Sequence, residues 1–159
     1  MNLASRVWVY QADRELAILE IKEVNEILKS FVERWTAHNQ QLKATYEIKY
    51  NRFIVLIVDE TQAGASGCSI DKSVHLMKTL EEKFQINLFD RFNIAYKTNN
   101  RVFSANKLGF ESLIAEGVID QNTTVFNNLV DTYQAYLENW ETTFKNSWHD
   151  RVFTLKPAF

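Results

Sequence analysis

Hydrophobic and polar positions along the chain change period several times, and each change marks an element. Phe53, Ile54, Val55, Leu56, Ile57 and Val58 are six consecutive apolar residues. They lack the polar alternation of a half-exposed strand, so the run predicts a strand covered on both faces, at the centre of a sheet. Residues 43–50 behave differently: Ala44, Tyr46, Ile48 and Tyr50 alternate with Thr45, Glu47 and Lys49, the period of a half-buried strand. Asn51 and Arg52 separate the two, which predicts an antiparallel hairpin with a two-residue turn. Val7 to Tyr10 reads as a short strand, and residues 92–97 and 101–105 as two more, joined by the turn formers Thr98, Asn99 and Asn100.

Elsewhere the period lengthens to that of a helix. Leu16, Ile21, Val24, Leu28, Phe31 and Trp35, widened by Ile27 and Val32, predict a helix that begins at Arg14 with Asp13 as its N-cap and is apolar on one face from Leu16 to Trp35. Its charged positions, from Glu20 to Arg34, read as a solvated face. Ile70, Val74, Met77, Leu80 and Phe84 predict a second helix. A short one follows over 108–116, ended by Gly117. Phe126, Val130, Tyr133, Leu137, Trp140, Phe144 and Trp148 form an aromatic-rich stripe that predicts a last, long helix. The tail, 151–159, contains the only proline, Pro157, and reads as loosely held.

The order strand, helix, hairpin, helix, strand matches the split β-α-β arrangement. The expected fold is therefore α+β, one domain over 1–159: a ferredoxin-like antiparallel sheet with helices on one face, an additional hairpin strand and two C-terminal helices. Such a sheet leaves one face open, whereas 53–58 demands cover on both. The C-terminal aromatic helix is expected to supply that cover, or to present a surface for a protein partner or for self-association.

Composition narrows the function classes. With 159 residues, 46% of them apolar, the chain can bury a core without disulfides or structural metal. The balance of 18 basic and 20 acidic residues gives no reason to expect a nucleic-acid or acidic-membrane partner. A single cysteine excludes an internal disulfide and every cysteine-pair metal motif. The opening residues show no basic-then-apolar leader, and no window approaches eighteen apolar residues. A cytoplasmic protein is expected, with no membrane association, no metal and no cofactor.

The candidate chemistry lies at the end of the buried run. F-I-V-L-I-V-D-E has the form of a Walker B strand, with Asp59 in the magnesium-holding place and Glu60 beside it. A phosphate cradle of the form G-x-x-x-x-G-K-[ST] is absent from the sequence, so ATP binding is not expected. Gly64, Ala65, Ser66 and Gly67 carry little side chain, and they lead through Cys68 and Ser69 to Asp71 at the start of the second helix. There the unpaired N–H groups favour an anion or a thiolate. Asp59, Glu60, Ser66, Gly67, Cys68, Ser69 and Asp71 are the candidate ligand-binding residues of a site spanning Gly64 to Ser73, with Cys68 the candidate nucleophile. Its base would come from His38, His75 or His149, none at a diagnostic spacing. The structural alternative makes Cys68 a packing residue, Ser66 and Ser69 caps, Asp71 a favourable first-turn charge and His38 a C-terminal cap of the first helix.

Through V-D-E followed by A-S-G-C-S-I-D, most of the chain resembles a family of small uncharacterised bacterial proteins that sometimes carry the label ABC transporter ATPase. The resemblance implies no known activity. In true ABC ATPases the L-S-G-G-Q loop precedes the acidic strand, whereas S-G-C-S follows it here, so no functional residue is carried over. Two readings remain: a non-catalytic binding or interaction protein, which the residues favour, and a small-anion-binding or cysteine-dependent enzyme using the 64–73 loop.

Overall fold

A computed structural model describes residues 1–155. The first half of the chain forms β1 (Arg6–Gln11), α1 (Ile18–Arg34), β2 (Thr36–Ala37), β3 (Gln40–Gln41), β4 (Lys43–Lys49), β5 (Phe53–Asp59) and α2 (Gly67–Phe84). The second forms β6 (Ile94–Thr98), β7 (Arg101–Ala105), α3 (Lys107–Ala115), β8 (Thr124–Phe126), α4 (Tyr133–Asn139), β9 (Glu141–Thr143), a 3-10 turn (Phe144–Asn146) and α5 (His149–Val152). The result is a mixed α and antiparallel β fold.

Every residue of β5 is buried, and the strand lies between β1 and β4, antiparallel to both. Successive side chains of a strand point to opposite faces, and β5 divides its residues accordingly. Ile54, Leu56 and Val58 pack with Val24 and Leu28 of α1 and Met77 and Leu80 of α2. Phe53, Val55 and Ile57 pack with Ala95, Val102, Phe126, Val130, Tyr136 and Trp140. Burial of each such side chain is worth about 1.5–3 kcal/mol, so losing either cover would expose three of them.

The second cover is a four-stranded sheet of order β7-β6-β8-β9. Its strands also alternate. Ala95 and Phe126 face β5, whereas Ile94, Tyr96 and Val125 face outward to Phe110 and Ile114 of α3, with Phe144 and Phe153. The layers therefore run α1 and α2, first sheet, second sheet, α3.

Several expectations are corrected. β6 pairs with β7 and β8 and does not join the first sheet, and among the described residues the outer edge of β1 meets a bridge from Arg6 to Thr132. No long helix spans the last aromatic stripe. Residues 126–148 divide among β8, α4, β9, the 3-10 turn and the start of α5. The polar residues between the aromatics decide this. Asn127 and Asn128 favour a turn, Thr132 caps α4 by accepting from the Ala135 N–H at 3.1 Å, and Thr142 and Thr143 are β-branched residues suited to a strand. Tyr136 and Trp140 are 4% and 5% exposed, so neither offers a partner surface. Cover for β5 comes from the second sheet, with Val130, Tyr136 of α4 and Trp140 completing it.

Shorter corrections follow the same logic. Asp13 accepts from the Asn87 N–H at 2.8 Å, and Glu20 closes the start of α1 by accepting from the Ala17 N–H at 2.8 Å while holding both Arg14 terminal nitrogens at 2.8 Å. The β4–β5 turn falls one residue early: Tyr50 and Asn51 take φ of +54° and +52°, and the Arg52 N–H donates to the Lys49 carbonyl at 3.0 Å. Asn99 and Asn100 form the β6–β7 turn as expected, both at positive φ. Phe153 is buried in the outer core, so the tail is anchored at least that far. Pro157 lies outside the described residues. Among the described residues no helix is long and apolar enough to cross a membrane.

Candidate functional site

Asp59 and Glu60 are committed to the loop that follows them. Asp59 accepts from the Thr61 hydroxyl at 2.7 Å and the Thr61 N–H at 3.0 Å, with Lys43 Nζ 3.4 Å away. These contacts, the Thr61 hydroxyl foremost, hold its carboxyl below the usual range against the opposing effect of burial. Glu60 accepts from the Ala65 N–H at 2.8 Å and stands 3.9 Å from Arg6. The glycines behave unlike the expectation. Neither Gly64 nor Gly67 takes positive φ, and a Cβ at Gly67 would meet nothing within 4 Å. At Gly64 it would come within 3.2 Å of Glu60 Oε2, so that residue is small to let Glu60 close the loop.

Ser66 and Ser69 form a reciprocal cap at the start of α2. Ser66 Oγ accepts from the Ser69 N–H at 3.1 Å, and Ser69 Oγ accepts from the Ser66 N–H at 2.7 Å. Ser69 is buried, and its carbonyl accepts from Trp35 Nε1 at 2.8 Å. This bond fixes the end of α1 against the first turn of α2. His38 is not a helix cap: it sits exposed at the tip of the β2–β3 hairpin with φ +51°, an element absent from the sequence expectation because each strand is only two residues long.

Two grooves meet at Cys68. One, of about 580 Å³, runs between α1 and α2, with Phe31, Trp35 and Leu76 as apolar walls and Arg34, Asp71, Lys72, His75 and Thr79 around them. The other, of about 560 Å³, lies between the hairpin residues Thr36, His38 and Asn39 and the helix start at Ser66 and Gly67. Cys68 and Lys72 border both, and the thiol is exposed. The structure thus brings Ser66, Gly67, Cys68 and Asp71 together with His38 and His75. Asp59 and Glu60 line neither groove, and Ser69 lies beneath the surface.

Several groove residues were missed in the sequence. Phe31 and Trp35 read only as the end of an apolar stripe, Arg34 read as a solvated charge, and Lys72 drew no reading; Trp35 at the last position of that stripe, next to the cationic Arg34, was the available signal.

The three histidines stand differently toward Cys68, and His38 shares the hairpin groove with it. Cys68 and His75 are seven residues apart on α2, on one face but roughly 10 Å apart along the axis. Among the described residues no hydrogen bond links Cys68 to an imidazole. The third histidine, His149, is buried at 1% exposure, its Nδ1 2.8 Å from Ser147 Oγ and its ring stacked 3.7 Å from that of Trp148. Burial pushes its pKa down to about 4. No group of three or more His, Cys, Asp or Glu among the described residues is placed to hold a metal ion.

Fold and site together define a four-layered α and β protein with an apolar surface groove, bordered by two exposed cations, Arg34 and Lys72, and one acid, Asp71. Comparison of the chain with protein-family models, with curated proteins and with solved structures finds no match.

Proposed function

We propose that the protein is a non-catalytic binding protein whose groove beside Cys68 takes a small amphipathic anion, an apolar body ending in a carboxylate or phosphate. One observation carries this reading: the wall of Phe31, Trp35 and Leu76 runs directly to Lys72 and the exposed first turn of α2. An apolar body gains by leaving water along that wall, and its head meets Lys72 and the positive end of an 18-residue helix. The wall is rigid before any ligand arrives. Trp35 is held by its bond to the Ser69 carbonyl and by ring contacts to Phe31 at 4.9 Å and Trp8 at 6.1 Å, so little ordering remains to oppose binding.

Calorimetric titration with octanoate, octyl phosphate, octanol and octylamine tests the reading. The two anions bind, and replacing both Arg34 and Lys72 by alanine weakens them by about tenfold, or roughly 1.4 kcal/mol. Equal binding of octanol and octylamine, or no binding of the anions, overturns it. A cysteine-dependent enzyme is disfavoured because among the described residues no imidazole is hydrogen-bonded to the thiol.

Nucleotide hydrolysis is left out of this reading, since Asp59 is already engaged by Thr61 and Lys43 and the sequence has no phosphate cradle. The cytoplasmic assignment is retained as part of the proposal, supported by a lone, exposed cysteine. The ferredoxin-like assignment is retained for the β1-to-α2 half alone, supported by the order β1-β5-β4 and by two helices packed on one face.

A further inference from the structure

The cleft where β4 meets α4, on the other side of the first sheet from the α1–α2 groove, is lined by an unusual set of side chains. Its volume is about 520 Å³, and its lining includes four aromatic residues (Tyr50, Tyr133, Tyr136 and Trp140), two carboxylates (Glu47 and Glu141) and one cation, Lys49. We propose that this cleft is a second binding site, for an organic cation bearing a guanidinium or quaternary ammonium group. The proposal does not rest on the groove beside Cys68.

The aromatic rings form a continuous series. Tyr133 and Tyr136 lie 6.2 Å apart, Tyr136 and Trp140 5.2 Å, and Trp140 and Tyr50 6.4 Å. Tyr136 and Trp140 are buried and back the series, while Tyr50 and Tyr133 present its accessible faces, and such faces attract cations through their quadrupoles. The structure already holds one cation in this way, since Lys97 Nζ stands 5.5 Å from the centroid of the Tyr50 ring.

Both carboxylates are anchored through one oxygen. Glu47 Oε1 accepts from the Tyr136 hydroxyl at 3.2 Å and lies 3.4 Å from Lys49 Nζ. Glu141 Oε1 accepts from the Tyr50 hydroxyl and from Lys97 Nζ at 3.0 Å. Oε2 of each has no partner among the described residues. Burial, then the neighbouring carboxylate, raises the pKa of both Tyr50 and Tyr136, so each phenol stays protonated at neutral pH and donates to its glutamate. Two fixed carboxylates with free oxygens beside aromatic faces match the chemistry that holds a guanidinium or a quaternary ammonium.

Tyr50 takes its φ of +54° as the first residue of the β4–β5 turn. That conformation carries its hydroxyl across to Glu141 on the second sheet. Lys49 and Lys97 oppose an incoming cation. Lys97 is spent on Glu141 and Tyr50, whereas Lys49 is nearly half exposed and free to turn into solvent.

The test uses the full chain, with arginine methyl ester and benzyltrimethylammonium as probes and amide NMR shifts as the readout. At least one probe gives saturable shifts at Tyr50, Tyr133 and Glu141. Glu47→Gln and Glu141→Gln each weaken it by about tenfold, and Leu76→Glu in the other groove leaves it unchanged. Lys49→Ala, a surface change that does not threaten folding, strengthens binding severalfold. No saturable shift at millimolar probe, or a response to Lys49→Ala of the opposite sign, overturns the proposal and leaves the cluster as a clamp between the sheets.

Discussion

Acid should loosen this protein through one residue, His149, before its carboxylates begin to protonate. The ring is surrounded by Trp148 at 3.7 Å, Phe110 at 6.1 Å and Phe144 at 6.2 Å, and burial holds its pKa at about 4 against an ordinary 6.5. In the unfolded chain the imidazole protonates near 6.5, so between the two values the unfolded state binds a proton that the folded state does not. His149 therefore favours folding fully above pH 6.5, and that contribution is lost as the pH falls from 6.5 toward 4. The whole gap corresponds to about 3 kcal/mol, of which about 2 kcal/mol falls between pH 7 and pH 5. For a domain stable by only about 5–15 kcal/mol this is a large share.

Urea unfolding at pH 7 and pH 5 measures it. The wild-type midpoint should fall with an unchanged slope, and His149→Gln, which stays neutral and can still reach Ser147, should lose most of that fall. His75→Gln, on an exposed side chain, should keep it. An equal loss of stability in wild type and His149→Gln would refute the reasoning, because the acid-sensitive group would then lie elsewhere.

Further outcomes follow from other contacts. Arg14, then the Ala17 N–H, holds the Glu20 carboxyl down to about 2, so its contribution is present above the ordinary carboxylate value of 4.5 and lost as the pH falls toward 2. Glu20→Ala should cost about 1 kcal/mol in thermal unfolding at pH 7 and flatten the acid limb. Cys68 should react with iodoacetamide in the folded protein without denaturant, and octanoate should slow the reaction; labelling that requires unfolding would remove the thiol from the groove. Trp140→Ala should cost about 3–5 kcal/mol in urea unfolding, because it opens the inter-sheet core and releases the Nε1 bond to Asn128 Oδ1; a loss below 1 kcal/mol would show Trp140 to be a surface residue.

What the sequence disclosed follows the strength of each periodic signal. β5, α1, α2 and α3 were legible because their apolar positions repeat without competition, and double burial of 53–58 was legible because no polar residue interrupts it. The last third was not. Phe126, Tyr133, Trp140 and Phe144 fall at helical spacing by chance of loop length, and the turn formers and threonines between them carried the contrary signal. The candidate site was legible in part: Cys68 does border the grooves. Asp59 and Glu60 belong to the same sequence segment, but the loop folds back on them, and sequence proximity does not show which side chains close a loop and which line a cavity.

The second cleft shows how a correct local reading can leave its consequence hidden. Alternation in 43–50 assigned Thr45, Glu47 and Lys49 to the less apolar face of β4, and pairing of β4 with β5 puts Ala44, Tyr46 and Ile48 against the helices, in line with Leu56 and Ile54. Glu47 pairs with Val55, whose side chain enters the inter-sheet core, so Glu47 projects toward the same layer from the edge of its sheet. An uncovered edge strand invites pairing with another chain, and charged residues are one defence. Here α4 comes down beside the edge, and the Tyr136 hydroxyl reaches Glu47 while the Tyr50 hydroxyl reaches Glu141. The less apolar face of β4 thus becomes one wall of a chamber, whose other wall is made by aromatics 86 to 93 residues beyond Glu47. Tyr50 is the residue common to both features. It ends the alternating run and opens the turn, so its left-handed backbone links the register of the β4–β5 hairpin to the chemistry of the cleft.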